Sequence, residues 1–178
     1  TRSRYVIPVN SGTSALHLCL LANEINEKHE VLIPSVNFVA TANAITYVKA
    51  DPHFIDVSKS DLNIDFKKLD KYLASLIFKK LLLFNKKTKK FIKAIIVLHT
   101  FGYVANLDEA KRISKKYNLI LIEDAAEALG SYYKKVHVGT LGKCGVLSFN
   151  GNKIITTGAG GAVLTNNKQT YKKALHLS

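Results

Sequence analysis

The sequence predicts an α/β fold with a largely parallel sheet. Three observations predict it. Strand-like and helix-like segments alternate through most of the chain. Two apolar runs, Ala94 to Leu98 and Leu119 to Ile122, are continuous rather than alternating, as expected of parallel strands buried on both faces. Polar clusters recur at the carboxyl ends of the strand-like runs, where open α/β sheets bind their ligands. At 178 residues and 47% hydrophobic, the chain can bury a real core, as one domain or as part of a larger protein.

Taken in order, Tyr5 to Val9 reads as a strand and Asn10 to Ser14 as the turn after it. The helix that follows sets Ala15, Leu16, Cys19 and Leu20 on one face. A Ser/Gly/Thr turn opening a helix gathers N–H groups and hydroxyls where the helix dipole favours an anion. Ordinary capping uses the same residues. Glu30 to Ile33 is the next strand, closed by Pro34, and a helix is expected from about Asn37 to Lys49. A strand over His53 to Val57, an amphipathic helix over Asp65 to Leu76 and a basic excursion to Lys93 come next. The apolar run Ala94 to Leu98 is capped by His99-Thr100-Phe101-Gly102, and Asn106 starts a helix to about Tyr117. Leu119 to Ile122 ends at Glu123-Asp124. Val146 to Phe149 and Gly161 to Thr165 then flank a glycine-punctuated stretch around Lys153. The chain begins at Thr1 in strand-like sequence, contains no methionine and ends within a helical pattern, so it reads as a piece of something longer.

The net charge of +13 is unevenly spread. Ten lysines and one acid, Asp70, fall between Lys67 and Lys93, giving that segment +9. It lacks the interleaved arginines and stacking aromatics of a nucleic-acid platform and reads as a solvated helix-and-loop insertion. Neither nucleic acid nor membrane is therefore expected as a partner. Cys19 and Cys144 lie far apart in apolar contexts and read as buried thiols in a reducing compartment. The run Val31 to Val48 is broken by Pro34, Ser35, Asn37, Thr41 and Asn43 and does not read as a membrane span. With no signal peptide visible, a cytoplasmic protein is expected.

Several chemistries fail on detail. No G-x-G-x-x-G separates the first strand from its helix, and Gly139 to Cys144 has neither the spacing nor the hydroxyl of a P-loop. No histidine or acid spacing suggests zinc, so no metal is expected. Lys153 stands out among 23 lysines because no other charge occurs from Gly145 to Asn167. Desolvation disfavours an ammonium ion, so an amine in apolar surroundings is a candidate nucleophile for a Schiff base. A snorkelling lysine beside a hairpin is the other reading. Asp124 follows four apolar residues and Glu123, and a carboxylate buried there needs a cationic partner. Capping of the Ala125-Ala126 segment is its alternative. An anion cradle, an isolated lysine and a buried acid are what pyridoxal 5'-phosphate requires, for its phosphate, its aldehyde and its pyridine nitrogen.

Five ordered motifs then resemble one family. They are Asn10 to Leu16 (NSGTSAL), Pro34 to Thr41 (PSVNFVAT), His99 to Gly102 (HTFG), Glu123 to Ser131 (EDAAEALGS) and Ser148 to Gly161 (SFNGNKIITTGAGG). Together they look like the DegT/DnrJ/EryC1/StrS family of pyridoxal-phosphate-dependent nucleotide-sugar aminotransferases. The resemblance covers essentially the whole chain. It implies a three-layer α/β/α fold with a mostly parallel mixed sheet, the large domain of the type I aminotransferase fold. Over residues 1–178 it implies the cofactor-binding large domain alone, with a lysine-rich insertion around 67–93. By that resemblance Lys153 carries the Schiff base and shuttles the proton, and Asp124 pairs with the pyridine nitrogen. Glu127 lies near the cofactor's 3-hydroxyl, Thr13, Ser14 and Ser148 hold the phosphate, and Phe38 stacks on the ring. A core aromatic on the second helix is the alternative for Phe38, and His99 is expected only to shape its loop. Ala159 departs from the Glu or Gly that many relatives carry.

The implied reaction transfers an amino group, typically from glutamate, to a keto carbon of a nucleotide-linked sugar. A 4-keto-6-deoxy sugar destined for surface glycan or amino-sugar synthesis fits best, in a homodimer whose subunits share active sites. Relatives that dehydrate instead carry histidine in place of this lysine. The alternatives are a lyase or desulfurase on the same fold, or a non-catalytic basic binding fragment.

Overall fold

The computed structural model describes residues 1–79 and 81–178; Lys80, within the lysine-rich segment, lies outside the described residues. Strand β1 (Tyr5–Val9) leads into α1 (Gly12–Ala22), and β2 (His29–Pro34) into α2 (Val39–Tyr47). Strand β3 (Asp51–Ile55) and α3 (Phe66–Ala74) precede β4 (Ile77–Lys79), β5 (Leu82–Asn85) and β6 (Lys90–Leu98). A 3-10 turn at Thr100–Gly102 and α4 (Leu107–Lys116) lead to β7 (Ile120–Asp124). The short pair β8 (Tyr132–Tyr133) and β9 (Val136–His137), then β10 (Cys144–Ser148), β11 (Gly161–Thr165) and α5 (Lys168–Leu177), complete the order.

Nine strands form one sheet in the order β1-β11-β10-β7-β6-β2-β3, with β5 on the lower part of β6 and β4 on β5. The pairs β10–β7, β7–β6, β6–β2 and β2–β3 are parallel, whereas β11 runs antiparallel to both its neighbours. Strands β1, β10, β7, β6 and β2 therefore point the same way and end on the same side. Successive side chains of β6 face opposite cores: Ala94 and Ile96 meet α1, α2 and α5, and Ile95 and Val97 meet α3 and α4. A helix layer on each face makes the fold three-layered α/β/α, and it explains why β6 and β7 read as continuous apolar runs. Burying each large aliphatic side chain there contributes about 1.5–3 kcal/mol.

The helix boundaries follow from local chemistry. Ser11, Asp65, Asn106 and Asn167 each cap a helix, their side-chain oxygens accepting the amides of Ser14, Lys68, Glu109 and Thr170. Helix α4 adds Asp108 and Glu109 to its first turn and Lys115 and Lys116 to its last, matching the helix dipole. In front of α2, Asn37 Nδ2 donates to the Pro34 carbonyl at 2.7 Å, which delays the helix to Val39.

Two expectations need correction. Strand β3 starts at Asp51, two residues before the expected His53, and includes Pro52. Proline lacks an N–H and is tolerated because β3 is an edge strand; Pro8 sits likewise in β1 at the opposite edge. The basic segment is also not a loop up to Lys93. Strand β6 begins at Lys90, and β4 and β5 form an antiparallel hairpin on its lower half, with Leu83 opposite Ile92 and Asn85 opposite Lys90. The alternation Ile92 in, Lys93 out carries the strand pattern that the lysines obscure; Lys93 Nζ reaches the Glu24 carbonyl at 2.9 Å. Cys19 and Cys144 are free and buried. Among the described residues no helix is long and apolar enough to cross a membrane.

Candidate active site

A cleft of about 340 Å³ opens at the carboxyl ends of the parallel strands. Its walls combine the start of α1, the turn before α2, the ends of β6, β7 and β10, and the loop carrying Lys153.

At one end lies the N-terminus of α1. Ser11 caps the helix, its Oγ accepting from Ser14 N at 3.0 Å. The amides of Gly12 and Thr13 fall in the first turn, where no intrahelical partner exists, so they remain available to an anion. Gly12 is required for this arrangement. A Cβ there would stand 2.9 Å from Ser148 Cβ, so only glycine lets the helix start against the end of β10. Thr13 and Ser148, expected at an anion site, both line the cleft. Ser14 does not. Its Oγ lies 2.5 Å from Asn10 Oδ1 and 2.9 Å from Ser11 Oγ, which keeps that hydroxyl inside the turn. Ser11 and Gly12 take its place in the wall.

Strand β7 delivers two adjacent carboxylates to opposite faces. Asp124 faces the cleft and is 3% exposed. Thr41 Oγ1 donates to its Oδ2 at 2.9 Å and Ala126 N to its Oδ1 at 3.2 Å. Burial pushes the Asp124 carboxyl above its ordinary range, although these two donors and the nearby His99 and Lys153 act against it. Asp124 does bond the turn after β7, as the capping alternative expected, but no helix follows.

Glu123 turns away and is fully buried, accepting from the amides of Gly139 (2.8 Å), Leu141 (2.6 Å) and Gly142 (2.5 Å). Its Oε2 lies 3.3 Å from His99 Nε2. Since His99 Nδ1 accepts from Ala105 N at 3.2 Å, the network assigns the proton to Nε2. Burial is the largest influence on Glu123 and opposes its charge, but His99 and the amides of Gly139 and Gly142 hold its carboxyl below the ordinary range. His99 thus braces the loop after β6 and is absent from the cleft wall.

Lys153 reaches the cleft from the loop after β10, with its side chain 10% exposed. Its Nζ lies 3.1 Å from Glu127 Oε1 and 5.5 Å from the centroid of the Phe38 ring. The uniformly apolar setting expected from its sequence neighbours is therefore not what the amine meets. Ile154 and Ile155 are 65% and 58% exposed and turn outward, while Glu127 comes from the β7 side. Phe38 is 59% exposed in the cleft wall, so the core-aromatic alternative does not hold.

The donor set suits a flat, phosphorylated aromatic aldehyde: helix-start amides and hydroxyls at one end, a buried acid, an open aromatic face and one primary amine. Sequence reasoning gave no role to Thr41, Gly12 or Glu123. Thr41 lies 83 residues from the acid it supports, and its only signal is a hydroxyl on the buried face of α2. Glu123 was visible as a neighbour of Asp124, but the amide nest that neutralises it forms only on folding.

The model of the DegT/DnrJ/EryC1/StrS aminotransferase family matches residues 1–178. Over 173 residues the chain is 39% identical to the GDP-perosamine synthase of Escherichia coli O157:H7, covering 97% of this chain and 43% of that protein. It is 42% identical over 170 residues to the UDP-4-amino-4,6-dideoxy-N-acetyl-beta-L-altrosamine transaminase of Campylobacter jejuni, covering 96% of this chain and 42% of that protein. Among solved structures, a DegT DnrJ EryC1 StrS aminotransferase from Brucella abortus superimposes with a TM-score of 0.87 at 32% identity, covering 97% of this chain and 44% of that one. The chain thus spans less than half the length of the curated relatives it matches.

Proposed function

Because the chain belongs to the DegT/DnrJ/EryC1/StrS aminotransferase family, we propose that its cleft binds pyridoxal 5'-phosphate and serves amino transfer to a nucleotide-linked keto sugar. The observation that carries the proposal is the meeting, in one cleft, of an unpartnered helix start, a buried acid and a primary amine. When bound, the cofactor supplies an aldehyde and a cationic ring that draws electrons from the reacting carbon.

The chain's own residues supply the rest. The amides of Gly12 and Thr13, with the hydroxyls of Ser11, Thr13 and Ser148, would hold the phosphate. Asp124, fixed by Thr41 and Ala126, would pair with the protonated ring nitrogen, which gives its buried charge a cationic partner. Phe38 would cover one face of the ring. Lys153 would hold and move a proton at Nζ, with Glu127 Oε1 3.1 Å away as its hydrogen-bond acceptor. Asp124, at 3% exposed, would keep the ring-nitrogen end away from bulk water.

The favoured substrate is a 4-keto-6-deoxy sugar nucleotide with glutamate as amino donor, in a cytoplasmic homodimer with shared active sites serving surface glycan or amino-sugar synthesis. Residues 1–178 would form the cofactor-binding large domain, with the lysine-rich segment as its insertion. Borohydride reduction of the full-length protein, followed by peptide mapping, should place the cofactor on the peptide containing Lys153. Label on another peptide, or none, overturns the assignment. Glutamate should convert the bound cofactor to its amine form, and a panel of keto nucleotide sugars should then identify the acceptor. Failure of glutamate and every other amino donor to make that conversion would favour a lyase.

A further inference from the structure

Much of the basic charge of this chain lies at the end of the molecule opposite the cleft. The cleft occupies the carboxyl ends of the strands, and its charged lining residues are Lys153, Asp124 and Glu127, one cation against two acids. Lysines instead collect where the strands begin. Lys28 precedes β2, Lys49 precedes β3, Lys115 and Lys116 end the helix before β7, and Lys143 precedes β10. Below them hangs the β4–β5 hairpin. Strand β6 pairs with β7 only from Ala94 onward, so residues 90 to 92 and the hairpin extend the sheet past the start of β7. At roughly 3.3 Å per residue, β6 alone separates Lys90 from Leu98 at the cleft by roughly 26 Å.

The hairpin joins this charge to exposed apolar surface. Lys86, Lys87 and Lys89 lie in the turn from β5 to β6 and are all exposed. Among the described residues, they and Lys79 have no carboxylate partner. The acids Glu24, Asp51 and Asp70 are already paired with Lys173, Lys90, and Arg112 and Lys116, leaving Glu27 beside Lys28. At the hairpin's other turn Leu81 is 80% exposed, the highest value for a large apolar side chain among the described residues, and Phe78 is 53% exposed. The Leu81 carbonyl accepts from Asn118 Nδ2 at 3.3 Å.

Steering of an anionic substrate would place such charge at the cleft, not behind it. The same hairpin also exposes Leu81 and Phe78. Nucleic-acid recognition favours arginine forks, yet all ten basic residues between 67 and 93 are lysines. Ammonium point charges beside projecting aliphatic and aromatic side chains match an anionic bilayer surface, where lysines meet headgroups and apolar groups enter the interface. We propose that the β4–β5–β6 hairpin docks this chain on anionic lipid, leaving the cleft facing the solvent. Such docking departs from the sequence expectation of no membrane partner, which read the segment as a solvated helix-and-loop insertion.

The test is co-sedimentation of the full-length protein with vesicles of phosphatidylcholine, with and without phosphatidylglycerol, at low and high salt. Binding is expected only to the anionic vesicles and is expected to fall with salt. Each lysine near such a surface contributes about fivefold, so the combined Lys86→Gln, Lys87→Gln and Lys89→Gln variant should bind about 100-fold more weakly. Leu81→Ser, which leaves the charge unchanged, should weaken vesicle binding by about tenfold. Circular dichroism confirms that these exposed substitutions leave the fold intact, and a variant that fails this check is replaced by Lys86→Gln alone. No binding to anionic vesicles at low salt, or vesicle binding indifferent to either change, overturns the proposal. Binding to a DNA duplex that survives Leu81→Ser and exceeds vesicle binding assigns the face to nucleic acid and overturns it equally.

Discussion

Replacing Thr41 with valine removes one hydroxyl and nearly preserves the side chain's shape. That hydroxyl donates to Asp124 Oδ2 at 2.9 Å, and the two residues are 1% and 3% exposed. A hydrogen bond to a charged group contributes about 1.5–3 kcal/mol, so the cofactor-free protein should lose about that much stability at neutral pH. In a domain of this size the loss lowers the melting temperature by about 3–12 °C. The loss should also depend on pH, with a definite sign. Burial raises the Asp124 carboxyl, and the donors oppose the rise. A carboxyl raised on folding contributes stability below the ordinary carboxylate range and loses it as pH rises through the folded value. Removing the Thr41 donor deepens the loss at neutral pH, whereas at acid pH, where the carboxyl is neutral, it costs only about 0.5–1.5 kcal/mol. Urea midpoints of Thr41→Val and the parent should therefore diverge as pH rises from acid to neutral. In an Asp124→Asn background the same substitution should cost only about 0.5–1.5 kcal/mol, because the pair is then neutral, and it should do so at every pH. Equal destabilisation at acid and neutral pH, or an unchanged penalty in the Asp124→Asn background, would refute this reasoning and reassign Thr41 to packing.

Other substitutions probe the remaining parts of the site. Lys153→Ala should abolish covalent cofactor labelling and slow amino transfer by about 10²–10⁴-fold, read by single-turnover absorbance. Gly12→Ala brings a methyl to 2.9 Å from Ser148 Cβ and should cost about 1–3 kcal/mol in urea denaturation. The same change should weaken binding of inorganic phosphate as the helix start shifts. Glu123→Gln removes the charge from an amide nest and should cost about 1.5–3 kcal/mol near neutral pH. Because the Glu123 carboxyl is held low, its contribution is present above the ordinary carboxylate range and lost as pH falls, so the variant should show a flatter acid-side stability profile.

The layers of the fold were legible because they rest on periodicity. Ala94 to Leu98 and Leu119 to Ile122 suit strands covered on both faces, and the capped pattern from Asn106 to Tyr117 suits an amphipathic helix. The hairpin was not legible. Lysines interrupt residues 77–93, and they hide an in-out alternation that shows only when Leu83 and Ile92 are seen in register. At the site, Lys153 and Asp124 announced themselves as charged residues in apolar sequence. What surrounds them did not. Phe38 and Glu127 approach Lys153 from loops 115 and 26 residues away, and sequence distance carries no information about that meeting.

The two acids that end β7 show how one strand divides structure from function. Strand alternation sends Glu123 and Asp124 to opposite faces, and burial penalises the charge of each. The fold settles Glu123 within itself, through three amides and His99. It gives Asp124 two neutral donors and no directly bonded cation. A protein selected only for stability would gain by neutralising that second carboxylate, so amide substitutions should act in opposite senses on the cofactor-free protein: Glu123→Gln destabilises it and Asp124→Asn stabilises it at neutral pH. A cation entering the cleft reverses the second sign, because it supplies what the fold withholds. The uncompensated charge at Asp124 would thus favour a ligand that brings positive charge to that one position.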